Sequence, residues 1–397
     1  MSAYTREMTS TEKVYIACDR ISSPFVNQMI LEGTGVLDKD LWVSAVKTAA
    51  AANPGTRLVM RGPLCFNYWV ASDIDPDVRE VNAGSWSGFD PDGAPFLDHP
   101  LSPVDGPTCE VVLIHGNPLR VAFRSHHAVM DGRGTLCWAE DVFRALRGET
   151  PIGYNSRITE IKLAKSFQKK GRTPAPARYP AVTGPAVETK TGFYWKRVSL
   201  PTPISSLLPK VAVSLAHEIW QRYPGCPVRF GIPVDMRPRG NNILSTGNLT
   251  NLIYLDVTPN STPETISSDI KQQLANHHDG MIYWMDLYIK YLPIRLIQRS
   301  LEKDIVTKNR TGLYRYSGII SNPGRLPLDK LSGGGFQAAG GFFIPINMQL
   351  LPVFVGLTGT NKSIELVVAM PNKLASHGRL ENILNKVASY ILTGGAS

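Results

Sequence analysis

Apolar positions along the chain recur in two rhythms, one matching the helical repeat of about 3.6 residues and one alternating as in a strand. Leu41, Ala45, Val46 and Ala49 share a helical face, Asp38 stands where an N-cap belongs, and Asn53-Pro54-Gly55 stops the run. Cys109 to His115 and Val121 to Ser125 read as strands joined by a Gly116-Asn117-Pro118 turn, which predicts a hairpin just before residue 126. Helical spacing returns from Leu136 to Arg147, with Ala139, Val142, Phe143 and Leu146 apolar and Gly148 at the end. Thr262-Pro263 opens another helix bearing Ile266, Ile270 and Leu274, and Leu380, Ile383, Leu384, Val387 and Ile391 mark a last one. Trp138, and Tyr283, Trp284, Tyr288 and Tyr291 at helical spacing, read as core, with the lining of a tunnel as the alternative.

Helices and strands alternate with no internal repeat, so the expected class is α/β. At 397 residues the chain is long enough for two domains. Between Lys165 and Lys190, basic residues (Lys169, Lys170, Arg172, Arg178) alternate with prolines (Pro174, Pro176, Pro180, Pro185), leaving little to bury. The expected division is therefore an N-terminal lobe 1–175, a linker 176–190 and a C-terminal lobe 191–397.

Composition narrows the function classes. Hydrophobic residues at 43% and charged residues at 19% are globular values, against disorder or coiled coil. Lys and Arg (42) exceed Asp and Glu (33), giving a net charge of +9, compatible with polyphosphate ligands, acidic proteins or nucleic acid. No zinc finger, RRM signature or basic helix supports nucleic acid. Five scattered cysteines without a CxxC suggest neither a disulfide framework nor a zinc site. The opening residues lack a secretory apolar core, and the apolar stretch Phe342 to Thr358 is broken by Pro345, Asn347, Gln349 and Pro352. A soluble cytoplasmic protein with no membrane contact is expected.

The segment richest in chemistry is Arg124-Ser125-His126-His127-Ala128-Val129-Met130-Asp131-Gly132. A histidine pair at a strand end can place one imidazole in a loop, where it titrates near neutrality and can exchange a proton with an attacking hydroxyl or amine. Asp131 can fold back to fix that loop, and Gly132 permits a tight turn where a side chain would clash. His127 and Asp131 are four apart and would share a helix face as metal ligands, but no third ligand is near, and Gly132 and Gly134 oppose a helix. A structural histidine pair is the plain alternative. His277-His278-Asp279-Gly280 lacks the three-residue spacer and reads as a solvated turn at a helix end.

His126-His127-Ala128-Val129-Met130-Asp131-Gly132 supplies every specified position of the HHxxxDG signature of the chloramphenicol-acetyltransferase-like superfamily, which it resembles. Gly231-Ile232-Pro233-Val234-Asp235-Met236-Arg237 and Gly247-Asn248-Leu249-Thr250-Asn251 look like the GxPxxxR and following segments of condensation domains. Pro238-Arg239 and Ser321-Asn322-Pro323-Gly324 look more like alcohol acyltransferases, and the resemblance extends over nearly the whole chain.

The resemblance implies two chloramphenicol-acetyltransferase-like lobes with a tunnel between them, and direct attack of a hydroxyl or amine on an acyl thioester. It makes His127 the general base, Asp131 and Arg237 a structural ion pair, and His126 and Gly132 supporting residues. The Gly132 amide, Ser321 and Asn322 become oxyanion or tunnel candidates. No bound cofactor or metal is implied; the donor would be acyl-CoA or the phosphopantetheine thioester of an acyl or peptidyl carrier protein, in nonribosomal peptide or other secondary-metabolite synthesis. A non-catalytic carrier-docking module of the same fold is the alternative from another class.

Overall fold

A computed structural model of the chain describes residues 4–169, 171–172, 176–189, 191–241 and 243–394. Met1 to Ala3, Lys170, Pro174 and Lys190 lie outside the described residues.

The predicted hairpin is present as strands Cys109–His115 and Leu119–His126. They belong to a five-stranded sheet ordered Phe336–Ile344, Val26–Gly35, Leu119–His126, Cys109–His115, Asp77–Asn82. Both faces of this sheet are buried, and the alternation shows it. Met29, Leu31, Val111, Leu113, Val121 and Phe123 face helices Lys39–Ala52 and Gly132–Leu146, while Ile30, Val112, Ile114 and Ala122 face the other lobe. Trp42 packs against Phe123 and Phe143, and Trp138 is edge-on to Phe123. Fully burying side chains of this kind contributes roughly 1.5–3 kcal/mol each.

A six-stranded sheet, ordered Thr250–Val257, Val228–Asp235, Gly318–Arg325, Phe354–Gly359, Ser363–Pro371, Phe193–Pro201, forms the second lobe. Helices Leu207–Arg222 and Arg379–Thr393 cover one face, with Leu380, Ile383, Leu384, Val387 and Ile391 all buried. Trp195, Val367 and Ala369 on its other face meet Ile30, Ala122 and Phe342 of the first. Polar groups join the lobes too: buried Arg197 binds Glu365 at 2.6 Å and Glu32 of the first sheet at 2.7 Å.

Several local expectations need correction. Leu41 is exposed and Trp42 takes the inward position, because 42, 45, 46 and 49 make the tighter helical stripe. The helix expected from Leu136 begins at Gly132, with Asp131 as its N-cap. The proline-rich stretch is not devoid of burial: Tyr179, Ala181, Val182 and Thr183 are buried, and Tyr179–Pro180 pairs with Leu313–Tyr314. Apolar side chains spaced among prolines pack individually and need no helical or strand period to do so. Finally, Phe336–Ile344 leaves the second half of the sequence to pair antiparallel with Val26–Gly35.

Candidate active site

The strand Leu119–His126 ends at the seam of the two lobes, and the chain turns through His127–Asp131 before the next helix starts. Backbone bonds hold this turn: the His127 amide donates to the Phe25 carbonyl (3.0 Å) and the Val129 amide to the His126 carbonyl (2.9 Å). Asn248, on the far side of the seam, donates its side-chain amide to the His127 and Ala128 carbonyls at 2.9 and 3.1 Å.

The His127 ring packs against both Tyr15 (centroids 4.4 Å apart) and Phe25 (5.6 Å), which touch each other at 5.4 Å. Its Nδ1 lies 3.2 Å from the Met130 carbonyl oxygen. A carbonyl only accepts, so Nδ1 carries the proton and Nε2 keeps its lone pair. The Asn27 amide nitrogen, 3.4 Å from the same Nδ1, is also a donor and is directed at the Met130 carbonyl (2.7 Å). Burial pushes the imidazole below its ordinary pKa, and the Met130 carbonyl and the Asp131 carboxylate offset this only in part. Burial thus favours the neutral ring.

Asp131 and Arg237 meet across the seam. The guanidinium grips the carboxylate with both nitrogens, at 2.9 and 3.2 Å, and both residues are buried. Arg237 also donates to Asp235 (2.8 Å) and to the Ser245 (2.9 Å) and Gly247 (2.6 Å) carbonyls. Asp131 accepts further bonds from the Gly134 and Leu249 amides and the Thr250 hydroxyl, at 2.7 to 2.9 Å. Burial raises the Asp131 pKa, but Arg237 and the Gly134 and Leu249 amides outweigh it and hold the carboxyl below the usual range. With its acceptor sites so occupied, Asp131 fixes geometry and has little left to offer a substrate.

His126 is fully buried behind the turn: its Nδ1 accepts from the Ala128 amide (3.1 Å), and its Nε2 is 3.6 Å from Asp19. His127, Asp131, Gly132, Ser321 and Asn322 line one cavity of about 1010 Å³, whereas His126 and Arg237 lie behind its wall. Gly132 corrects the expectation of a clash, since a Cβ there would meet only Phe343 at an ordinary 3.7 Å. Its amide, in the first turn of the helix, has no acceptor among the described residues. Ser321 sits in strand Gly318–Arg325 beside Gly356, and the Asn322 side chain accepts from the Gly324 amide in a local turn (3.1 Å).

Gly134 is the position where space matters: a Cβ would fall 2.0 Å from the Thr246 carbonyl oxygen. Gly134→Ala should push away the 245–247 segment that anchors Arg237 and lower stability by about 1–3 kcal/mol. Chemical denaturation checks this, and an unchanged midpoint would mean the segment yields freely.

His277–Gly280 is not a solvated turn. Asp279 is fully buried, bonded to Arg239 at 2.9 Å, and its carbonyl accepts from Asn251 (2.6 Å), while His278 lines the cavity. Long-range partners, which the local pattern does not display, close it in. Of the aromatic run only Tyr283 reaches the cavity; Trp284, Tyr288 and Tyr291 are exposed, so they are not core. Among the described residues, no group of three or more His, Cys, Asp or Glu is placed to hold a metal ion. None of their helices is long and apolar enough to cross a membrane.

The sequence reading missed Asn27, Asn248, Tyr15 and Phe25 as supports of His127. Asn248 lies inside the Gly247–Asn251 segment, whose resemblance assigns it no role, and the others carry no local signal.

Neither a scan of protein-family models nor a search of curated proteins finds a match. Solved structures do. The starter condensation domain of rhizomide synthetase RzmA, as a mutant in complex with C8-CoA, aligns with a TM-score of 0.67 at 14% identity, covering 99% of this chain and 95% of that one. The condensation domain of the monacolin K polyketide synthase MokA gives 0.61 at 10%, covering 99% of each. The epimerization domain from the third module of tyrocidine synthetase B gives 0.60 at 13%, covering 99% and 97%. The chain thus has the mixed α/β fold of condensation domains, two chloramphenicol-acetyltransferase-like lobes.

Proposed function

We propose that the protein is a condensation-type acyltransferase, moving an acyl group from a phosphopantetheine thioester to a hydroxyl or amine in secondary metabolism. The observation that carries this reading is the 3.2 Å contact of His127 Nδ1 with the Met130 carbonyl, which assigns the proton to Nδ1 and leaves a basic Nε2 on a ring at the cavity wall. Nε2 takes the proton from the acceptor as its oxygen or nitrogen attacks the thioester carbon. The carbonyl oxygen becomes an oxyanion, near which the Gly132 amide and Ser321 are the candidate donors. Collapse breaks the C–S bond, and the imidazolium returns its proton to the departing thiolate, so no acyl-enzyme forms. Asp131 and Arg237 position the turn, and His126 supports it. We keep 1–175 and 191–397 as the two lobes about the segment 176–190, with donor and acceptor entering the cavity from opposite faces. The donor is acyl-CoA or the thioester of a carrier protein.

Intact-mass analysis of products from panels of acyl-CoA and acyl-carrier thioesters, each with hydroxyl and amine acceptors, tests the reaction. No acyl product from any pair would reject it. The pH profile tests the base: a depressed imidazole pKa keeps Nε2 free at lower pH, so the acid limb of kcat/KM should fall below the ordinary value of about 6.5. A limb above that value would point to another group.

A further inference from the structure

Six of the exposed large hydrophobic residues lie on two segments, 64–66 and 284–296, the second of which supplies Met285 and Ile289 to the cavity wall. Leu64, Phe66, Trp284, Tyr288, Tyr291 and Leu296 are each between 48% and 78% exposed. Two loops far apart in sequence bring them together, and a buried lysine ties the loops. Lys13 donates from Nζ to the Cys65 carbonyl at 2.6 Å and to the Lys290 carbonyl at 2.5 Å, which brings the backbone between Leu64 and Phe66 close to that preceding Tyr291. Trp284 and Tyr288 contact each other at 6.2 Å between centroids. Leu296 continues the surface on the first turn of helix Ile294–Thr311. A fixed apolar patch of this kind is uncommon on a protein that stays alone in water.

Its rim is basic. Arg61, Arg295 and Arg299 are exposed, and none pairs with a carboxylate among the described residues. Lys290 shares Glu7 with Lys162. The one acid within the aromatic run, Asp286, is partly sheltered, binds the Tyr283 amide and has its pKa raised by burial. Trp and Tyr beside Leu and Phe, fringed by arginine, is the composition that settles at an anionic lipid surface: rings sit at headgroup depth and guanidinium groups meet lipid phosphates. A symmetric contact with a second copy would set the same unpaired cations against each other. The cavity wall includes Met285 and Ile289 of the same run, so the patch adjoins the site.

We infer that this patch is a peripheral docking surface for anionic membranes, a reading independent of the acyltransfer proposal. The sequence expectation of no membrane contact rested on the lack of an apolar span, which surface docking does not require.

The test is sedimentation of the full chain, without thioester, on vesicles of phosphatidylcholine alone or mixed with phosphatidylglycerol. Binding to the mixed vesicles, weakened by salt, is expected. Trp284 is the one exposed tryptophan of the seven, so its emission should shift to the blue. Trp284→Ser/Tyr288→Ser/Tyr291→Ser should lower affinity about tenfold or more with an unchanged unfolding midpoint, and Arg295→Ser/Arg299→Ser should remove most of the preference for anionic lipid. No sedimentation, binding indifferent to the aromatic triple variant, or a dimer in solution that the triple variant dissolves would each overturn the inference. Because no catalysis is read, failure here leaves the acyltransfer reading standing, and failure of the product assay leaves the docking measurable.

Discussion

His127→Ala should lower turnover on the order of a hundredfold to ten-thousandfold while the protein remains folded. The substitution removes the Nε2 lone pair and leaves the hydrogen bonds that hold the turn in place. The Met130 carbonyl, which His127 Nδ1–H engages, keeps its 2.7 Å bond from Asn27, so no acceptor is orphaned. The turn itself is held through main-chain atoms, by Phe25 below and Asn248 across the seam, and these contacts survive truncation of the ring. Loss of stacking with Tyr15 and Phe25 should be visible in stability but minor beside the kinetic effect. Single-turnover rates with one thioester and one acceptor, alongside a melting curve, give both quantities. Near-normal turnover in a folded variant would reject His127 as the base.

Removing either Asp131 or Arg237 should cost stability as well as activity, about 3–5 kcal/mol for each single variant. Without Asp131, three donors lose their acceptor and the helix from Gly132 loses its N-cap. Without Arg237, a carboxylate is left buried among neutral donors. The double variant should lose less than the sum, because each partner is costly chiefly when stranded. There is a pH signature as well. The folded Asp131 pKa is depressed, so its contribution is fully present above the unfolded value of about 3.9 and is lost as pH falls through the lower folded value. Denaturant titrations of the four proteins across the acid range measure both effects; strict additivity would dissolve the pair.

What could be read in the sequence was local. The hairpin before residue 126 showed itself through alternation and a turn, and the terminal helix through its stripe, since both periods are written in consecutive residues. The meeting of Asp131 with Arg237, 106 residues away, came from a resemblance and not from any period. Asn27 and Asn248 look like any polar residue until the lobes come together. The aromatic run misled for the converse reason: helical spacing there suggested core, but the chain forms short 3-10 turns that leave three of its rings outward. Gly134 was read as opposing a helix, although a helix approached this closely by another segment needs a residue without a side chain.

The crossing of strand Phe336–Ile344 into the first sheet bears on how the protein is made. Ile30 lies next to Phe342, so the inner strand Val26–Gly35 keeps an open edge until residues 336–344 have been synthesised. Pairings this remote in sequence raise contact order and slow folding, and an unpaired edge invites other chains to add to it. A fragment that stops before Phe336 would keep that edge permanently, and should accumulate as aggregate even though it carries the entire histidine turn.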